Sequence, residues 1–307
     1  MIQIDNFSFL IIIFLSYILV RRGLDPKVFA GIPKLLFTFC YPALILVSFA
    51  VLDSDLSHQD VVFTVAFTAI STGLIYLPSL WVLRHYGNEG RKELIAFYMV
   101  IGNVTFVGLP FIFYFFGLFG LSFAILFGVV QDVFVWSVCY ARFAGKSNPR
   151  QLIKTVLNPC FIAVIAGFIF AANRWPLPGF VQLPVQMLAD ATIPLALLCV
   201  GSLLAQNRDS LKIVDRDVIL SVGIKTFLIP IIGFAVLRVI GVDPALALLC
   251  SFILCMPAPL LSILFAKEFG KDAAFANVVF VVSVLAFLLV CIVLFFLQTM
   301  GVNIFIS

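Results

Sequence analysis

Charged side chains are scarce in this sequence. Only 11% of its 307 residues are Asp, Glu, Lys or Arg, whereas 63% are hydrophobic and the mean hydropathy is +1.20. Soluble domains carry about 25% charged residues, so a soluble fold is excluded for most of the chain. Because about 20 apolar residues in a helix cross a bilayer core, the composition predicts an integral membrane protein with room for about ten crossings.

Catalytic and metal-binding motifs are also missing. There is no Gly-x-Ser-x-Gly and no His-Glu-x-x-His, and the two histidines, His58 and His85, fall in predicted loops. The seven cysteines lie in apolar stretches without Cys-x-x-Cys spacing, which is typical of packing residues. We therefore expect no enzyme, no metal site and no cofactor. The formal charge of +4 is spread over short loops, so no nucleic-acid partner is expected.

What the sequence has instead is a series of apolar runs bounded by charges or by Gly and Pro. They predict an all-α integral membrane protein with ten transmembrane helices. The first run follows Asp5 rather than a basic segment and lacks a cleavage pattern, so it is expected to be a retained helix. The predicted spans are 6–22, 29–52, 61–84, 93–117, 120–142, 156–173, 180–205, 216–239, 244–266 and 273–299.

The loops between these spans alternate in charge. Short loops rich in Lys and Arg stay in the cytoplasm. Both termini are therefore expected outside, in the plasma membrane or, if the source is bacterial, the inner membrane. The acidic, outer loops hold Asp53, Asp55, Asp60 and Asp243, with Arg174 and Arg238. The basic, inner loops hold Arg21, Arg22, Lys27, Arg84, Arg91, Lys92, Arg142, Lys146, Arg150, Lys154, Arg208, Lys212, Arg216, Lys267 and Lys271.

An internal repeat is visible when the chain is compared with itself at half its length. An offset of 152 residues superimposes Pro42 on Pro194, Pro78 on Pro230 and Asn6 on Asn158, and an offset of 153 superimposes Phe116-Gly117 on Phe269-Gly270. We predict two five-helix repeats, residues 1–150 and 151–307. Because five is odd, the second repeat is inverted in the membrane, as in many secondary transporters.

Two spans are interrupted at matching points of this repeat. The fourth contains Asn103-Val104-Thr105-Phe106-Val107-Gly108-Leu109-Pro110, and the ninth contains Met256-Pro257-Ala258-Pro259. Proline removes an N–H and clashes with the carbonyl four residues back, so these helices should break. Broken helices near the midplane bind substrate in transporters, and their N-termini favour anions. The expected substrate contacts are Asn103, Thr105, Gly108, Pro110, Met256, Pro257, Ala258 and Pro259.

Three ionisable residues lie inside predicted spans, where each needs a partner or a wet pathway. Asp132 and Lys225 fall at similar depths, about 12 to 15 Å from the cytoplasmic end. We predict that they form an ion pair beside the crossing, coupled to proton or substrate occupancy; a purely structural pair is the alternative. Asp190 lies nearer the outer end of its helix, where a solvated or capping role is expected.

Neutral polar residues supply further candidates. Asn103 stands at the first break, where its amide can hydrogen-bond a carboxylate. Gln131, which is assigned to the coupling group with Asp132 and Lys225, and the pair Ser71-Thr72 fit either that role or hydrogen bonding between helices.

Four segments together resemble the auxin efflux carrier family, which includes plant PIN-type carriers and bacterial malonate and malate permeases. The resemblance spans nearly the whole chain. The segments are Asn103-x-x-Phe106-x-Gly108-Leu109-Pro110, Asn158-Pro159, Ala191-Thr192-Ile193-Pro194-Leu195-Ala196-Leu197-Leu198 with Gly201 and Leu204-Ala205, and Met256-Pro257 with Ala266-Lys267-Glu268-Phe269-Gly270.

This resemblance implies a fold like that of sodium/proton antiporters and bile-acid transporters, in which helices 4 and 9 break and cross. It implies a scaffold of helices 1, 2, 6 and 7 and a transport domain of helices 3–5 and 8–10 that moves like an elevator. The implied substrates are small carboxylates such as malonate, malate or auxin-like acids. Asn103 corresponds to the family's crossover asparagine, Pro110 and Pro257 to family prolines, and Lys225 to a lysine of the eighth helix.

Two residues depart from the family pattern. Thr105 stands where glycine is frequent, and Met256 matches Asn103 in the other repeat, so the two halves of the site are less alike. The short segment between helices 5 and 6 suits a bacterial carrier.

The alternative function is a sodium-coupled or cation/proton antiporter of the same inverted-repeat class. Such carriers usually hold carboxylates at the crossing, which the two breaks here lack. A channel would need a selectivity filter or a ring of charged residues, and the sequence shows no such ring. The bilayer and a small organic anion are the expected partners, and a homodimer is among the arrangements left open.

Overall fold

The computed structural model describes residues 8–50, 58–145, 159–173, 175 and 177–300. All regular secondary structure among these residues is helical, and none of them forms a strand. In chain order the helices are α1 (Ser8–Arg21), α2 (Lys27–Ala30), α3 (Ile32–Leu35), α4 (Tyr41–Ala50), α5 (His58–Leu83), α6 (Glu89–Val100), α7 (Leu109–Phe134), α8 (Tyr140–Ala144), α9 (Pro159–Ala172), α10 (Gly179–Gln206), α11 (Arg216–Gly223), α12 (Ile229–Val239), α13 (Pro244–Leu254), α14 (Leu261–Glu268) and α15 (Ala273–Thr299).

Shorter turns join several of these helices end to end. One 3₁₀ helix covers Arg208–Ile213. Five-residue π-helical turns cover Leu36–Cys40, Val104–Gly108, Val135–Cys139 and Ile224–Leu228.

Six helical stretches of the described chain are long and apolar enough to cross a bilayer. Two shorter apolar helices, Phe9–Arg21 and Pro244–Leu254, accompany them. The multi-pass membrane character predicted from composition is therefore confirmed, and the count of ten crossings stays a prediction. The six stretches are Lys27–Ser48, Gln59–Leu83, Val104–Ala144, Gly179–Gln206, Arg216–Val239 and Ala273–Gln298.

Three of the four π-helical turns end two residues before a proline. Leu36–Cys40 precedes Pro42, Val104–Gly108 precedes Pro110, and Ile224–Leu228 precedes Pro230. The proline ring would collide with the carbonyl four residues back in a regular helix, and the extra residue of a π turn relieves that collision. The prolines therefore widen these helices locally and leave them continuous.

Glycines in left-handed conformation mark two sharp turns. Gly117 has φ 62°, which separates the two parts of the 104–144 stretch where the fourth and fifth predicted spans meet. Gly270 has φ 63° between α14 and α15. A side chain would be strained at either position. The two glycines are partners under the 153-residue offset, and their φ angles are nearly equal.

The helices pack in two groups. In the first, α1 packs on α10, and both α9 and α10 pack on α4. At Gly201 of α10 the approach is so close that an added Cβ would lie 2.1 Å from the Ile13 carbonyl oxygen. In the second group α5 packs on α7, α12 on α13, and α11 and α14 on α15. The division into a scaffold and a transport domain stays a prediction.

Several residues that carried predictions lie outside the described part of the chain. Of the repeat these are Asn6 and Asn158, and of the loop charges Asp53, Asp55, Lys146, Arg150, Lys154 and Arg174.

Candidate functional site

The first helix interruption lies between α6 and the π turn Val104–Gly108. α6 ends at Val100 because Ile101 is extended, with φ −89° and ψ 127°. Asn103 then starts the next helical segment: its side-chain oxygen accepts a hydrogen bond from the Phe106 N–H at 3.2 Å. Asn103 is 6% exposed, so its side chain is an N-cap inside the protein.

The second interruption separates α13 from α14. Residues 255–260 are not helical, and two of them, Pro257 and Pro259, have no N–H to donate. The Ala258 N–H between them donates to the Ser283 hydroxyl of α15 at 2.9 Å. All but Leu260 of this segment is buried, so the broken backbone is surrounded by protein, as a membrane setting requires.

The two interruptions touch each other. The Asn103 N–H donates to the Pro257 carbonyl at 2.8 Å. The Met256 side chain, which is 0% exposed, packs against both Gly102 and Gly108: an added Cβ would lie 2.6 Å from Met256 Cβ at the first and 2.7 Å from Met256 Sδ at the second. The contact joins the two segments that the sequence offset of 153 residues superimposes, in which Asn103 corresponds to Met256.

Each interruption leaves backbone donors without acceptors. The described contacts give no acceptor to the N–H groups of Val104 and Thr105, nor to those of Leu260 and Leu261. Such N–H groups at a helix start carry partial positive charge and bind anions. In the two interrupted segments, 101–108 and 255–260, the sequence holds no Asp or Glu to neutralise them. The two helix starts at the crossing therefore present partial positive charge.

Aromatic residues of the first helix group contact the first interruption. The Tyr41 hydroxyl donates to the Thr105 carbonyl at 2.8 Å. The rings of Phe37 and Tyr41 lie 4.9 and 5.8 Å from that of Phe106. Thr105 and Phe106 are partly exposed, unlike Asn103 and Gly108. The interruption is thus enclosed by the second group on one side and by these aromatic side chains on the other.

The predicted ion pair between Asp132 and Lys225 is wrong. Lys225 is 1% exposed, and its ammonium donates to the carbonyls of Met99 and Val100, both at 3.2 Å. Asp132 is on the exposed side of α7 and has no ion pair or hydrogen bond with any described residue. Both side chains lie on the helices expected, but they face different surroundings.

The remaining polar candidates lie at different places in the structure. Gln131 donates to the Val100 carbonyl at 3.2 Å, so it joins Lys225 at the end of α6. Asp190 accepts a hydrogen bond from Gln186 of its own helix at 2.8 Å, in agreement with an exposed, local role. Ser71 donates to the Thr68 carbonyl at 3.3 Å, and Thr72 is buried. Neither residue of that pair is at the crossing.

A cluster of charges joins the predicted cytoplasmic ends of three helices. Arg91 of α6 pairs with Asp215, with Asp217 at 3.1 Å and with Asp272 at 2.8 Å. Burial alone would raise the pKa of the Asp215 and Asp272 carboxyls, but hydrogen bonds from Arg91 and from backbone N–H groups hold both pKa values below their usual range. Both carboxylates also cap helices, Asp215 at α11 and Asp272 at α15.

A groove of about 780 Å³ lies away from the crossing, between α5 and α12. Its lining is apolar apart from a few groups such as Ser71 and Ser79, whose hydroxyls bond carbonyls of their own helix. It offers an anion few polar groups, and the crossing is the better candidate.

Sequence reasoning missed three residues of this site: Phe37, Tyr41 and Ser283. Tyr41 precedes Pro42, and its position in the repeat drew attention to the proline alone. Ser283 is a single hydroxyl in the long apolar helix α15, and no sequence pattern distinguishes it from a residue that packs against lipid.

Two comparisons with known proteins bear on this site. A family model described as membrane transport protein matches residues 4–295, which include both interruptions. No curated protein matches the chain.

Proposed function

The chain belongs to the membrane transport family of the auxin efflux carriers, and on that premise we propose that it is a secondary carrier of small organic anions. The substrates proposed are carboxylates such as malonate, malate or auxin-like acids. The residues proposed to line the site are Asn103, Thr105, Gly108, Pro110, Met256, Pro257, Ala258 and Pro259.

The observation that carries the proposal is the contact between the two interrupted helices. The Asn103–Pro257 hydrogen bond places two helix starts with unpaired N–H groups in one region. Lys225 is buried beside the end of α6, and its partners are carbonyls rather than a carboxylate. An anionic guest complements the partial positive charge of these helix starts, and neither segment holds an Asp or Glu that would repel it.

The mechanism proposed is alternating access of the elevator type. The group of α1–α4, α9 and α10 would be the static scaffold, and the remaining helices, in two inverted repeats, would carry the substrate. The Tyr41–Thr105 hydrogen bond and the Phe37–Phe106 contact cross between the groups. Few polar bonds at that boundary would have to break for one group to slide along the other.

The test is uptake of labelled mono- and dicarboxylates into proteoliposomes, with a pH gradient and a membrane potential imposed separately. We expect saturable uptake of at least one carboxylate. Asn103→Ala should reduce its kcat/KM at least about 10-fold, because the loss of one or two charge-assisted hydrogen bonds costs about 1.5–3 kcal/mol each.

The matched control is Asp243→Ala. Asp243 caps α13 by accepting from the Ala245 N–H at 2.9 Å, at the end of the helix opposite to the interruption. Either cap removal should cost about 1 kcal/mol of stability, but only the Asn103 variant should lose uptake. Movement of sodium or protons with no dependence on any anion would instead support the alternative, a sodium-coupled or cation/proton antiporter.

A further inference from the structure

Lys225 has a buried side-chain nitrogen with no carboxylate partner among the described residues. It lies in the π turn Ile224–Leu228 and is 1% exposed. No carboxylate of the described residues pairs with it, and its hydrogen bonds go to the Met99 and Val100 carbonyls. Burying an unpaired charge is costly, so these carbonyls must supply a compensating negative potential.

Both carbonyls are among those that the interruption deprives of their helical donors. In an unbroken helix, Met99 O would accept from the Asn103 N–H and Val100 O from the Val104 N–H. The Asn103 N–H is bonded to Pro257 instead, and the Val104 N–H has no acceptor in the described contacts. Lys225, with Gln131 as a second donor to Val100 O, replaces the missing N–H groups. The negative end of α6 is thus neutralised by a side-chain cation.

Two further oxygens in this region lack partners. The Tyr98 and Thr226 hydroxyls are buried and make no hydrogen bond with any described residue. The Tyr98 phenol lies close to Thr226 and Ser283, although neither contact has hydrogen-bond geometry. Helix-end carbonyls and neutral hydroxyls together are the ligand chemistry that carriers offer to a free alkali cation at a broken helix.

We propose that the Lys225 ammonium is a built-in monovalent cation that occupies the position in which a sodium-driven carrier would hold its ion. The broken end of α6 then needs no free alkali cation, and transport is not coupled to one. The statement about coupling rests on the proposed function, whereas the cation position rests on the geometry alone.

The test is the thermal stability of the purified protein in sodium, potassium and choline chloride at equal ionic strength. Wild type should unfold at the same temperature in all three salts. Lys225→Ala, which empties the position but leaves its oxygens, should unfold at a lower temperature in choline. Sodium or potassium at 10 to 100 times its Kd should raise that temperature saturably, by roughly 5 °C.

Lys225→Met is the matched control, because its side chain fills the same space without charge. It should be less stable than wild type and should show no difference among the three salts. Stabilisation of wild type by sodium or potassium would overturn the proposal, and so would a Lys225→Ala protein that is indifferent to both ions. If Lys225→Ala does not fold in any salt, the comparison in wild type decides alone.

The uptake assay separates this proposal from the proposed function. If carboxylate uptake by wild type requires a sodium or potassium gradient, the built-in cation is contradicted, whereas anion transport is still supported. If no carboxylate is taken up but the stability of Lys225→Ala depends on alkali ions, the anion proposal is contradicted, whereas the cation position is still supported.

Discussion

Gly102 and Gly108 allow the two interrupted helices to touch. Both face Met256, but they face different parts of it: Gly102 meets Cβ, which is fixed to the backbone, and Gly108 meets Sδ, which is free to rotate away. The local cost of a methyl group at each position therefore differs, and the difference reports how tightly the crossing is packed.

We predict that Gly102→Ala destabilises the protein by about 1–3 kcal/mol and abolishes carboxylate uptake, because an overpacked contact must move the backbone of one segment. Gly108→Ala should cost less, since the Met256 thioether adapts. Thermal unfolding and proteoliposome uptake measure both effects. Gly128→Ala is the control: its added Cβ meets nothing within 4 Å, and it should be neutral or stabilising. Equal stability of the Gly102 and Gly128 variants would contradict the tight crossing.

At the residue scale, the sequence was sufficient to place Asn103 and Pro257 at interruptions, because proline and a capping residue act through the backbone of their own segment. It was insufficient for Lys225. Counting residues along a helix gives the depth of a side chain, and on depth Asp132 was a reasonable partner. Which way a side chain points depends on the rotation of its helix about its axis. The π turns Val135–Cys139, next to Asp132, and Ile224–Leu228, which contains Lys225, each change that rotation by an extra residue.

The starts of three helices could be located in the sequence for similar reasons. Asp215, Asp243 and Asp272 each stand one residue before a helix and accept backbone hydrogen bonds from its first turn. Acidic residues are favourable there because they offset the positive helix end. The π turns were not predicted, since a proline that bends a helix and one that widens it look alike in sequence; the surrounding packing selects between them.

The cluster at Arg91 gives a pH prediction at this scale. The pKa values of Asp215 and Asp272 are lower in the folded protein than in the unfolded chain. Their contribution to stability is therefore fully present above the unfolded value of about 3.9 and is lost as pH falls through the folded values. We expect the unfolding temperature in detergent to drop steeply below about pH 4.

Asp272→Asn tests that prediction. It should lower the unfolding temperature at pH 7 and flatten the acid drop, because the neutral amide keeps the cap but cannot pair with Arg91. Asp209→Asn is the control, since that carboxylate pairs with Lys212 on the exposed surface, where an ion pair contributes little to stability. An acid drop as steep in the Asp272 variant as in wild type would contradict the assignment.

The molecule as a whole is predicted to place its basic loops in the cytoplasm. Cys160→Ser removes the one native cysteine of the described residues that is not buried. In that background, Ile240→Cys and Lys267→Cys place thiols at exposed positions that are predicted to lie on opposite sides of the membrane. Cells treated with a membrane-impermeant maleimide should label position 240 and leave position 267 unlabelled until the membrane is permeabilised. Labelling of position 267 on intact cells would reverse the orientation.

The internal repeat shows how far a whole-molecule inference from sequence reaches. In the sequence, prolines recur at an offset of 152 residues and a Phe-Gly pair at 153. The structure gives Gly117 and Gly270 nearly the same φ and brings Asn103 against the Met256-Pro257 segment, and the inverted repeat stays a prediction. The aromatic contacts of Phe37 and Tyr41 could not be anticipated, because they join helices far apart in the chain and have no counterpart with the same residue types in the second repeat.

The most direct test of the central claim is whether a transported carboxylate covers the crossing. In the Cys160→Ser background, the alkylation rate of Thr105→Cys by N-ethylmaleimide is measured in proteoliposomes that still take up the anion, with Lys267→Cys as the control. Our account predicts that the transported anion slows alkylation at position 105 saturably and leaves position 267 unchanged. An anion that is taken up and yet gives no protection at position 105 would contradict it.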